Sequence, residues 1–111
     1  MVAFVIRTLR EDGNAVFHTY DALFAVQLAF SLDMCHLMIS NTRVEGPPGV
    51  ELILQLRGRL PMMPIVYIAN VGRSSPEIEA RLPSDVPILR EPFTADELRA
   101  VVRPFIGNGQ T

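Results

Sequence analysis

The six residues Pro64-Ile65-Val66-Tyr67-Ile68-Ala69 constrain this chain more than any other stretch. They form an unbroken apolar run, rich in β-branched and aromatic side chains and bounded at a length typical of strands. Successive strand side chains point to opposite faces of a sheet. A strand that is apolar at every position must therefore be covered on both faces, as happens in parallel sheets wrapped by helices.

The rest of the sequence supplies such helices. Ala22 to Ser31 reads as a helix with Asp21 as N-cap and with Leu23, Val26, Leu28 and Phe30 suggesting one largely buried face. Residues 36–40 read as a second buried strand, ended by Asn41. Val50 to Arg57 reads as a helix that turns Val50, Ile53, Leu54 and Leu56 inward. A loop, Asn70-Val71-Gly72-Arg73, follows the apolar run. Ser75-Pro76 then opens a short helix, with Pro at the first helical position where a missing N–H costs nothing. Val86-Pro87-Ile88-Leu89 is a short strand. Thr94-Ala95-Asp96-Glu97 is a capping box, in which the Thr hydroxyl and the Glu carboxylate satisfy each other's backbone N–H groups. The helix it opens carries Leu98, Val101, Val102 and Phe105 on one side, and Gly107 and Asn108 end it. Strands alternating with helices predict an α/β fold, a parallel sheet with helices on both faces. One domain is expected over residues 1–106, with 107–111 a frayed tail.

The start of the chain is ambiguous. Val2, Val5, Ile6 and Leu9 match the helix spacing, and Arg10-Glu11-Asp12-Gly13 resembles a helix end with a Gly stop. The β-branched content of Val2 to Ile6 also allows a strand. The helix is favoured, and the chain then starts inside an element with no strand before it. Ala15-Val16-Phe17-His18-Thr19 is β-like and follows the turn Asp12-Gly13-Asn14.

Composition narrows the functions. A net charge of −2 with dispersed arginines gives no electrostatic case for nucleic acid or an acidic membrane surface. The single cysteine, Cys35, cannot form an internal disulfide and reads as a small buried hydrophobe, which suits a reducing cytoplasm. No signal peptide is evident in Met1 to Ile6, and no apolar stretch approaches the ~20 residues of a membrane span. His18 and His36 lack metal-ligand spacing and read as surface or hydrogen-bonded side chains. Ser74 and Ser75 read as caps. Met34, Met38, Met62 and Met63 read as gap-fillers or loop residues.

In an open α/β sheet, chemistry sits beyond the carboxyl ends of the strands. Three strand ends converge there: Asn41, Ala69 and Glu91-Pro92-Phe93. The order Leu37-Met38-Ile39-Ser40-Asn41, Gly49-Val50-Glu51-Leu52, Pro64 to Ala69 and Leu89-Arg90-Glu91-Pro92-Phe93 resembles the response-regulator receiver domain, the CheY-like variant of the flavodoxin-like fold. The resemblance covers nearly the whole chain. It implies a sheet of order 2-1-3-4-5. The first strand would be absent here, or replaced by residues 2–6 or by a second chain.

The resemblance also implies a chemistry. In receivers an Asp at the third-strand end accepts a phosphoryl group from a histidine kinase, with Mg²⁺ held by an acidic pair after the first strand. A Ser or Thr, a Lys and a switch aromatic complete the site. Carried over, the acceptor position is Asn41, the Ser/Thr position Ala69, the Lys position Glu91 and the switch position Ile88. The Pro that often follows the acceptor is replaced by Glu45. The acidic pair has no counterpart, so the Mg²⁺ site reads as lost and no cofactor is expected. The bond before Pro92 is expected to be cis, as is usual in that family.

The leading expectation is a receiver-like domain of a bacterial two-component phosphorelay that is not phosphorylated, is not an enzyme and acts through protein contacts. Asn41 is then a turn residue that caps the following backbone. Its partners would be a sensor histidine kinase or another signalling protein, with a homodimer by element exchange as a further possibility. The contact face would include Glu77, Arg81, Arg90, Asp96, Arg99 and Arg103. Two other readings stay open: phosphorelay through a non-standard acceptor, and a truncated piece of a longer sensor or regulator.

Overall fold

The computed structural model describes residues 2–19, 22–31, 35–41, 49–70 and 74–106. Helix α1 (Val2–Glu11) and helix α2 (Ala22–Ser31) precede strand β1 (Met38–Asn41). Then come α3 (Gly49–Arg59), β2 (Ile65–Ala69), α4 (Pro76–Glu79), β3 (Ile88–Arg90) and α5 (Ala95–Ile106). The strands form one parallel sheet in the order β1-β2-β3. β2 is central and buried at all five positions, as its unbroken apolar run requires.

Alternate residues of β2 feed two separate cores. Ile65, Tyr67 and Ala69 pack with Val50, Ile53 and Leu56 of α3 and Ala29 of α2, with Ile78 of α4 at the margin. Val66 and Ile68 pack with Val5 and Leu9 of α1 and Leu98 and Val102 of α5. Helices thus lie on both faces, as the alternation of elements predicts.

The first residues are helical, which removes residues 2–6 as a substitute strand. α1 ends at Gly13, whose φ is 91°, a conformation that costs a glycine little. The Gly13 N–H donates to the Arg10 carbonyl (3.0 Å) and the Asn14 N–H to the Leu9 carbonyl (3.1 Å), the two bonds of a Schellman stop. α1 is tied to α5 by Arg99 Nε donating to Asp12 Oδ2 (2.8 Å), and Phe4 packs on Phe93 at 6.1 Å between ring centroids.

Several expectations need correction. Ala15 to Thr19 forms no strand. Strand propensity gives a ladder only where a neighbouring strand offers hydrogen bonds, and none of the described strands pairs with it. β1 and β3 begin two residues later than expected. Asn41 is the last residue of β1, and the stretch after it, where it would open a turn, lies outside the described residues. In α2, only Ala29 is buried among the described side chains, and Phe30 is 47% exposed, with Arg59 5.9 Å from its ring centroid. A sheet of three strands offers α2 little surface, so the described side chains of this mostly apolar helix are only partly covered. The Leu23 and Val26 side chains lie outside the described set, as do Asp21, Met34, Glu45, Asn70's loop neighbours 71–73, and the tail from Gly107 on. In α3, Leu52 is buried and Leu54 is not. Leu54 lies one step of about 100° past Ile53, beyond the covered arc. Cys35 is half-buried, with its thiol 3.7 Å from the Leu37 carbonyl.

The capping box forms as read. The Glu97 N–H donates to Thr94 Oγ1 (3.1 Å) and the Thr94 N–H to Glu97 Oε1 (2.9 Å). Ser75 caps α4 with Pro76 in its first turn.

Candidate functional site

The parallel strands bring Asn41, Ala69 and Glu91 to one edge of the sheet. Asn41 is in register with Ile68, and Ala69 with Arg90. The Glu91 N–H donates to the Ala69 carbonyl (3.1 Å), which continues the β2–β3 ladder one residue past β3. The Glu91-Pro92 bond is cis, as expected. Asn41 thus ends one strand at this edge, while Ala69 and Glu91 are bonded neighbours on the other two. The fourth position, Ile88, lies at the start of β3 and packs into the α3-side core. It is apart from the edge.

Glu91 is not idle. Asn70, only 4% exposed, donates from its side-chain amide to Glu91 Oε1. The amide occupies one carboxylate oxygen and adds no positive charge. Arg90, the basic residue next in sequence, turns away to Glu79. Ala69 supplies a methyl group where a hydroxyl would be needed. The described edge therefore presents a carboxylate and apolar surface, without a side-chain cation to receive an anionic group.

The described residues do not fit a divalent cation of the kind the resemblance implies. Such an ion takes several oxygen ligands, usually carboxylates. No group of three His, Cys, Asp or Glu residues among the described ones could hold a metal. Glu91 stands as the carboxylate at this edge, with one oxygen already engaged. His18 and His36 are both exposed.

A second polar assembly lies on the α3 side of β2, and sequence reasoning missed it. The Tyr67 hydroxyl is 3.0 Å from Ser74 Oγ. Ser74 Oγ donates to Glu79 Oε2 at 2.8 Å. Arg90 donates to both oxygens of Glu79, at 2.9 and 2.5 Å. Ser74 is thus a bridge between elements, not the helix cap it resembles. Burial pushes the Tyr67 phenol above its ordinary range, while Ser74 pulls it partly back. The Arg90 guanidinium, helped by the Ser74 hydroxyl, holds the Glu79 carboxyl below the usual Glu range. Only Ser75-Pro76 hinted in the sequence that this junction is ordered. The four partners span 67 to 90 and show no local pattern.

The proposed contact face divides. Arg81 pairs with Glu51 and Arg90 with Glu79. Arg99, however, turns to Asp12, just past the end of α1, and to Asp96 of its own helix. It belongs to the α1–α5 side rather than to a face shared with α4.

No protein-family model matches the chain, and no curated protein matches it. Solved structures do. The receiver domain of NtrX from Brucella abortus matches with a TM-score of 0.77 at 20% identity, over 97% of this chain and 88% of that one. A response regulator receiver protein from Sinorhizobium medicae WSM419 matches with a TM-score of 0.78 at 25% identity, over 96% and 86%. The signal receiver domain of a LuxO repressor protein from Vibrio parahaemolyticus reaches 0.77 at 13% identity, over 98% and 83%. The parallel order of β1, β2 and β3, with helices on both faces, is thus the flavodoxin-like arrangement of those domains. The chain has the fold of a response-regulator receiver domain.

Proposed function

We propose that this chain is a receiver-like module of a two-component phosphorelay system that is not phosphorylated and works by binding other signalling proteins, with a sensor histidine kinase as the leading partner class. The observation that carries this reading is Glu91. Its carboxylate stands at the sheet edge, tied to Asn70, with Ala69 beside it and Arg90 directed elsewhere. Among the described residues, a phosphoryl dianion brought to this edge meets a like charge and no compensating cation or hydroxyl. Asn41 adds a neutral amide, a poor nucleophile, at the end of β1. In this reading the domain is not an enzyme and needs no metal. It acts in the cytoplasm, in keeping with its single cysteine. No helix among the described residues is long and apolar enough to cross a membrane.

Incubation with acetyl phosphate and Mg²⁺, followed by intact mass, tests the reading. No phosphoryl adduct is expected on the natural chain or on Asn41→Asp, because Ala69 and Glu91 remain. A stable adduct on the natural chain that survives Asn41→Ala would overturn it in favour of another acceptor. A metal-dependent adduct on Asn41→Asp would show that the edge is still competent.

A further inference from the structure

We infer that Tyr67, Ser74, Glu79 and Arg90 form a latch that holds the start of α4 against β2 and β3, so that the domain presents one fixed α4–β3 surface. This deepens the binding-module reading, since a module without a phosphorylation step has no evident need for two surface states.

The direction of the hydrogen bonds is set by proton count. Ser74 has one hydroxyl proton and gives it to Glu79. It must therefore accept from Tyr67, whose hydroxyl is the donor. Arg90 closes the chain from β3 with a two-pronged grip on the same carboxylate. The relay runs from the α3-side core, through the residues before α4, to the exposed edge of β3. Tyr67 is fully buried, and its ring packs among Val50, Ile53 and Leu56. If α4 moved away, the phenol would keep its apolar surroundings and lose its acceptor. Glu79, with a side chain only 11% exposed, would lose both cationic prongs and the serine. The arrangement observed is the one that satisfies every member of the chain.

The backbone is braced at the same place. The Ser74 N–H donates to the Asn70 carbonyl (3.3 Å), the Glu79 N–H to Ser75 (2.9 Å) and the Ala80 N–H to Pro76 (2.9 Å). α4 is a single turn with no fully buried residue, and only Ile78 packs at the margin of the core, so its own packing holds it weakly. The side-chain chain supplies the rest of the hold. The shifts at Tyr67 and Glu79 agree: the phenol stays a donor and the carboxylate an acceptor around neutral pH.

Backbone relaxation dispersion on the full chain tests the latch, together with amide hydrogen exchange at Ser74, Glu79 and Ala80. Flat dispersion profiles over residues 74–82 and 88–90 are expected for the natural chain. Glu79→Ala should speed exchange at those amides roughly tenfold, while Ile53 and Leu56 in α3 stay unchanged. Tyr67→Phe keeps the ring and its packing, and should speed exchange about two- to threefold. Millisecond exchange across residues 74–90 in the natural chain would overturn the proposal. So would unchanged amide rates in both variants. The outcome is independent of the phosphodonor test: an adduct there refutes the inert site, whereas these profiles report only on the latch.

Discussion

Helices α2 and α5 are close in length and opposite in character. α2 carries no charged residue and is apolar except at Gln27 and Ser31, yet among its described side chains only Ala29 is buried. α5 is strongly amphipathic, opens on a reciprocal cap and buries Leu98 and Val102. Apolar content therefore does not decide how much of a helix is covered. Periodicity marks the face that a helix can bury, and the width of the sheet beneath decides how much of it is buried. α5 has the flank of β2 and β3 and the side of α1 to rest on. α2 sits over a sheet of three strands already occupied on that face by α3.

The comparison can be broken by mutation. Leu98→Ala in α5 should have the largest effect, about 2–5 kcal/mol off the unfolding free energy, because Leu98 is fully buried in the core shared with Val5 and Val66. Equilibrium urea denaturation reads it, and a loss below about 1 kcal/mol would mean that Leu98 does not hold α5 to this core. Thr94→Ala removes the acceptor for the Glu97 N–H and should cost about 1 kcal/mol, with Glu97→Ala similar or smaller. The double variant should lose less than the sum, because the two halves of a capping box are one device. The smallest change is expected from Phe30→Ser in α2, within about 0.5 kcal/mol of the natural chain. Phe30 is half exposed, and its contact with Arg59 is at the long end of a cation–π approach. A loss of 2 kcal/mol or more there, roughly what full burial of a Phe is worth, would show that α2 is covered in solution by something the described residues do not include.

The same contrast explains what could be read from the sequence. The strand at 65–69, the Thr94-Glu97 box, Ser75-Pro76 and the helix from Val2 each carry a local signal that agrees with the tertiary outcome, and each formed. Ala15 to Thr19 carries an equally good local signal and formed no strand, because a strand depends on its neighbour as much as on itself. Leu54 was read as inward and Leu52 was left unread because both are leucines near the edge of a helical arc, where a small rotation decides burial. At the candidate site, Asn41, Ala69 and Glu91 were legible as strand-end residues, and the sheet brings those strand ends to one edge. The Asn70 amide that engages Glu91 was not legible, and neither was the Tyr67–Ser74–Glu79–Arg90 chain. Both depend on which side chains meet across β2, β3 and α4, a matter of three-dimensional distance that spacing along the chain does not encode.

β2 divides its side chains between two cores that share none of them. The strand therefore works as a partition. A change at Val66 is felt first by α1 and α5, while a change at Tyr67, one residue on, is felt first by α3 and α4. Selection can then remodel the helices of one side while the other keeps its packing. The two faces of the sheet therefore need not share a history.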